Sequence, residues 1–169
     1  ASVQGSTTKS RTTLILETVA DLKSQLDSLD TEETAIAADA KIIAEEERRY
    51  IATDELIKGA VANYNREYRA FQVENQRNAN EISAHNQAPC TTTQDKPNAC
   101  DWYEARANRL NTEKYQLADR HKTFELRHKG LTDRRAELTA ATVASFHRKK
   151  ENNYRSIELA GRANGQMQR

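Results

Sequence analysis

Glycine and proline are scarce in this 169-residue chain, with five of one and two of the other. Both prolines, Pro89 and Pro97, share one short stretch with the only cysteines, Cys90 and Cys100. That stretch reads PCTTTQDKPNAC, and the long segments on either side of it contain no proline at all. Aromatic residues amount to 6% and mean hydropathy is −0.92. Such a composition excludes a thick, round core, yet it suffices for a narrow seam that needs two or three apolar residues in seven. Long apolar runs are also missing, and none approaches the roughly 18 residues of a membrane span. Nor is there an excess of either charge: 26 Lys and Arg stand against 25 Asp and Glu, a net of +1. A nucleic-acid interface needs an exposed basic face on a clearly basic domain. The most basic run, Arg120 to Lys129 followed by Arg134 and Arg135, can instead be neutralised by an acidic partner helix, so no nucleic-acid partner is expected. Glycine-rich phosphate loops, HExxH and GxSxG are absent. The reading is of a chain that is not an enzyme and holds no cofactor or metal.

So polar a chain could be disordered, but its apolar residues are too regularly placed for that. From Ile15 to His85 they step by four and three: Ile15, Val19, Leu22, Leu26, Leu29, Glu33, Ile36, Ala40, Ile43, Glu47, Tyr50, Asp54, Ile57, Val61, Tyr64, Tyr68, Phe71, Asn75, Asn78, Ile82, His85. All but Glu33, Glu47, Asp54, Asn75, Asn78 and His85 are apolar or tyrosine. A 3.5-residue repeat held this long predicts a coiled-coil helix that must meet a partner. At 1.5 Å per residue it would be roughly 105 Å long. The polar slots read as devices that fix register at some cost in stability.

The second half carries Tyr103, Leu110, Leu117, Phe124, Leu131 and Leu138 at strict sevens. Beyond Leu138 the stripe is expected to slip phase and continue through Val143, Phe146, Ile157 and Ala160, as at a stutter. Pro89 ends the first helix, because proline donates no hydrogen bond and its predecessor avoids the α region. Asp95 or Asn98 is the expected cap of the second, with Pro97 in its first turn. The fold class is therefore all-α: a long antiparallel two-helix coiled-coil hairpin, expected to associate into a larger bundle. Its expected parts are an N-terminal tail over 1–11, helix 12–87, a tip loop 88–98, helix 99–161 and a C-terminal tail over 162–169.

Partner numbers summing to about 185 bring the two seams face to face, so that Ile82 meets Tyr103 and Val61 meets Phe124. The charges sort with this pairing. Residues 1–89 carry 10 basic and 15 acidic side chains, and residues 90–169 carry 16 and 10. An acidic helix against a basic one favours this pair over either helix with its own copy.

A reversal at the tip brings Cys90 and Cys100 together, and the expected outcome is a disulfide that staples it. Free thiols are the alternative. Zinc would need four ligands, and His85 supplies only a third. A disulfide implies an oxidising compartment, so the chain reads as extracytoplasmic: secreted, surface-bound or periplasmic. A start at Ala1 is what cleavage after a small residue leaves, and an arbitrary boundary looks the same.

Three groups of residues stand out as candidate sites. His121 and His128 lie seven apart in the second seam, too far to chelate one metal; they read as packing residues or as a pH-sensitive seam. Thr91, Thr92, Thr93 and Trp102 sit at the tip, where Trp102 is either an exposed anchor for a protein partner or a plug buried against Ile82 or His85. Ala37, Ile42, Ala44, Ile51, Val143 and Phe146 are apolar residues beside the seam, read as a face for self-association. Gly59 and Gly130 fall at nearly the same height and mark either a bend or two unrelated surface positions. The sequence thus points first to a structural protein that packs with copies of itself into a fibre, lattice, matrix or surface layer. Its second reading is a binding module that presents its tip.

Overall fold

The structure, a computed structural model, describes residues 10–91 and 100–167, with side chains to residue 165. It contains two helices, α1 (Arg11–Gln87, 77 residues) and α2 (Asp101–Met167, 67 residues). They pack against each other as an antiparallel hairpin with a Cys90–Cys100 disulfide at the turn. Among the described residues there is no positive φ and no cis peptide bond. No helix there is long and apolar enough to cross a membrane.

Local chemistry sets the helix ends. The backbone N–H of Thr13 donates to Ser10 Oγ at 3.2 Å, and that of Leu14 donates to the Ser10 carbonyl at 3.1 Å. Ser10 is thereby the N-cap of α1. The α2 cap is Cys100, whose carbonyl accepts from Tyr103 N and Glu104 N. Asp101 and Glu104 in the first turn complement the helix dipole there. Asp95, Pro97 and Asn98, the expected start of α2, lie outside the described residues, as do Thr92 and Thr93. At the other end α2 runs on to Met167, through most of the stretch read as a tail.

The chain forms two compact units, Ile51–Ala140 on the one hand and Ala1–Tyr50 with Ala141–Arg169 on the other. In the first, the buried side chains fall at strict sevens. On α1 these are Ile57, Tyr64, Phe71, Asn78 and His85, and on α2 Leu110, Leu117 and Phe124, with Tyr103 and Leu131 half-buried. Tyr64, Phe71, Leu117 and Phe124 form one cluster, against which Tyr68 and Leu131 pack. Asn78 Nδ2 donates to the Leu110 carbonyl at 3.1 Å, and Tyr103 Oη donates to the His85 carbonyl at 2.9 Å. These pairs (78 with 110, 85 with 103) fix a partner sum of 188. The expected sum of 185 is thus corrected by three residues, and His85 rather than Ile82 meets Tyr103.

The second unit obeys the same sum. Asn152 Nδ2 donates to the Ile36 carbonyl at 3.2 Å. Ile43, Ser145 and Asn152 are buried, and Leu29, Ile36 and Leu159 are half-buried. The expected phase slip does not occur. The row 145, 152, 159 continues the sevens of α2 inward although two of its members are polar, while Val143, Phe146 and Ile157 stay 51%, 63% and 67% exposed. Ser145 Oγ meets Glu46 at 3.4 Å, but Asn152 Oδ1 is buried without a partner. Asn152→Leu should therefore raise stability by about 1–2 kcal/mol, since an unsatisfied buried polar group is exchanged for apolar packing. A urea titration followed by circular dichroism measures it, and a loss of stability would show that the amide bond to Ile36 outweighs the orphaned oxygen.

Two helices alone cover only one row of each seam. The slots alternating with the buried α1 row are half-buried at Glu47, Asp54, Val61, Tyr68 and Ile82, and exposed at Glu33, Ala40 and Asn75. Of the polar slots expected to be enclosed, only Asn78 and His85 are, because Glu47 reaches Lys149 and Asp54 reaches Lys58 at the rim. Gly59 and Gly130 sit in helix interiors with no atom within 4 Å of an added Cβ. Alanine at each should add roughly 1 kcal/mol, readable as a rise in the urea midpoint at constant slope.

Candidate functional site

Within each unit ion pairs line one flank of the seam at sevens, and Glu47–Lys149 lies on the other flank. In the unit of residues 1–50 and 141–169, Glu32 pairs with Arg162, Asp39 with Arg155 at 2.8 Å, Glu46 with Arg148, and Glu47 with Lys149 at 2.8 Å. In the unit of residues 51–140, Glu67 pairs with Arg127 and Glu74 with Arg120. Each places the acid on α1 and the base on α2, the sorting that the two halves' net charges predicted. Near the tip the order reverses, with Arg77 bridging Glu113 at 3.4 Å and Glu81 at 3.8 Å. The hydrogen bond from Arg120, helped by the charges of Arg120 and Arg77, holds the Glu74 carboxyl below its ordinary value against the opposing effect of burial. These pairs are largely solvated, so they select the partner and the register more than they stabilise.

The expected pH-sensitive histidines lie on the rim of the aromatic cluster. His121 stacks on Phe71 at 5.8 Å with Nε2 3.3 Å from Glu125, and the exposed His128 leans on Tyr64 at 5.7 Å. The histidine inside the packing is His85, 5% exposed and stacked on Tyr103 at 3.7 Å, with neither ring nitrogen hydrogen-bonded. His85 and Tyr103 close the end of the seam beneath the disulfide. Trp102 does not: it is 59% exposed and touches Tyr103 edge-on at 5.9 Å. Thr91, next to Cys90 in sequence, is also exposed.

The six residues read as an assembly face are all exposed, but they do not share one face. At about 100° per residue, Ile42 falls on one flank of the α1 seam, and Ala37 and Ala44 fall on the other. Ile51 belongs to the other unit. Val143 and Phe146 belong instead to a continuous stripe on α2, directed away from the row 145, 152, 159. It comprises Val143, Phe146, Lys150, Tyr154 and Ile157, whose four non-lysine members are 51–67% exposed. Lys150 Nζ lies over the Tyr154 ring at 5.9 Å. Phe146, Lys149, Lys150, Asn153, Tyr154 and Ile157 line an open groove with Glu47. The sequence signal is the spacing of three to four residues from Val143 through Phe146, Lys150 and Tyr154 to Ile157, apolar or aromatic but for the lysine; assigning Ile157 to the seam hides this second stripe. A helix that packs one face on α1 and is apolar on the opposite face can cover both only by lying between two partners. The hairpin supplies one of them.

Comparison with protein-family models, with curated proteins and with solved structures found no match to this chain.

Proposed function

We propose that this chain is an exported structural coiled-coil protein that assembles with copies of itself through its helices. The observation that carries this reading is the second apolar stripe of α2, left uncovered by α1. Burial of such a stripe is what drives a two-helix unit into a three- or four-helix bundle. The disulfide supports an oxidising compartment. The surface grooves are open to solvent, which suits docking better than reactions that must exclude water. Sedimentation velocity from 1 to 100 μM, with electron microscopy at each step, is the test; the mass should rise with concentration, and Phe146→Lys should hold it at the monomer. A wild-type monomer throughout the series overturns the proposal.

A second reading rests on Trp102, exposed next to the staple. A large aromatic held out on a braced turn suits an anchor for a protein partner. On this reading the chain is an extracytoplasmic adaptor. Trp102→Ala separates the two, since self-association is untouched by it if the helices carry assembly.

A further inference from the structure

The outer stripe of α2 has a symmetry of its own. Val143 and Ile157 lie seven residues to either side of Lys150, and Phe146 and Tyr154 lie four to either side. A regular coiled-coil stripe steps three and four in alternation, so it would place its residue at Asn153 rather than Tyr154. The spacing here, three-four-four-three, reads the same in both directions. Only one kind of partner makes use of that property: an identical stripe running the opposite way.

Resting on the self-assembly reading above, we infer that the partner of this face is the same face of a second copy, with the two α2 helices antiparallel across a two-fold axis at Lys150. A two-fold interface is isologous, so each patch must complement itself. In this arrangement Val143 of each copy lies against Ile157 of the other, and Phe146 lies against Tyr154. The charges agree. Across such an axis equivalent flanks face each other, as Glu46 and Arg148 do within the chain, each three residues past a buried position, so each Glu151 shares a flank with its own copy and lies next to the other copy's Lys150, twice by symmetry. Lys149 is held by Glu47 within its own chain, whereas Lys150 is folded over Tyr154, so the Lys150 ammonium lies on the stripe before a partner arrives. The two lysines at the axis repel each other, and the two Glu151 carboxylates offset that.

Cysteine cross-linking of the full chain, with the native disulfide intact and a short bis-maleimide as reagent, tests the axis. Lys150→Cys should cross-link to itself at least tenfold faster than Leu126→Cys, an exposed control 72% accessible in the other unit. Val143→Cys alone should cross-link poorly, because its own copy is two heptads away, whereas a mixture of Val143→Cys and Ile157→Cys chains should link efficiently. Glu151→Lys should weaken the dimer at least tenfold in sedimentation with helix content unchanged. If the wild type assembles but Lys150→Cys links no faster than the control, the two-fold pairing is wrong while self-assembly stands. Rapid linking of Val143→Cys to Val19→Cys in its place would assign the groove to the exposed α1 stripe of another copy. If neither the wild type nor any variant associates, both readings fall.

Discussion

Replacing Phe71 by alanine should cost this hairpin about 3–5 kcal/mol, the range for deleting a buried aromatic ring without full collapse of the site. Phe71 is 3% exposed. Its ring meets Phe124 at 5.2 Å, His121 at 5.8 Å and Tyr68 at 5.9 Å, and the Arg120 guanidinium lies over it at 5.5 Å. One substitution thus removes several aromatic pairs and a cation–π contact, each worth of order 0.5–1.5 kcal/mol beyond its area. In a globular domain neighbouring layers would relax into the gap. Here only one row of side chains separates the two helices, and above and below Phe71 that row is already filled by Tyr64 and Asn78. The cavity is therefore expected to persist or to flood. Tyr115→Ala is the matched control: removal of an aromatic ring at a site 71% exposed should change stability by under about 0.5 kcal/mol. Urea unfolding followed at 222 nm compares them. Equal effects from the two would mean that the aromatic cluster does not hold the hairpin together.

The long helices, their antiparallel pairing and the staple were legible because each rests on a local signal. The 3-4 spacing gives the helices, Pro89 stops the first of them, and the two cysteines flank the only segment able to reverse. Register was legible only to within a turn. Sorting of net charge between the halves survives a three-residue slip, so it could not separate a sum of 185 from 188. What separates them is pairwise: at 188 Glu32, Asp39, Glu46, Glu67 and Glu74 each come within reach of an arginine. The misreading beyond Leu138 has the same origin. Val143, Phe146 and Ile157 look like a displaced core because apolar residues usually face inward, and Ser145 and Asn152 look like surface. A helix cannot change phase for one stretch without disturbing its neighbours, and here the ion pairs at Arg148 and Arg155 fix the phase. The polar residues are carried in and the apolar ones out, and that inversion is what makes the outer stripe informative about a partner.

Opening the Cys90–Cys100 bridge should lower stability by about 3 kcal/mol, the chain-entropy value for so small a closed loop. The two cysteines are ten apart in sequence, with Cα atoms 5.7 Å apart, inside the usual range for a bridge. Reduction frees the ends of α1 and α2 in the unfolded chain, while the seam and its ion pairs remain in the folded one. Helix content without denaturant should therefore persist and the urea midpoint should fall. The stack of His85 on Tyr103 lies five residues before Cys90 and three after Cys100 along the chain, so the two devices should be coupled. With the bridge closed, Tyr103→Ala loses the 3.7 Å stack and the hydrogen bond to the His85 carbonyl. With it open, the tip frays and less remains to lose. A double-mutant cycle between Tyr103→Ala and the Cys90→Ser, Cys100→Ser pair should show a coupling of about 0.5–3 kcal/mol. An unchanged midpoint on reduction would mean that the ring stack alone closes the tip. A midpoint that becomes dependent on protein concentration would mean that the bridge is what keeps the two helices pairing within one chain rather than exchanging between two.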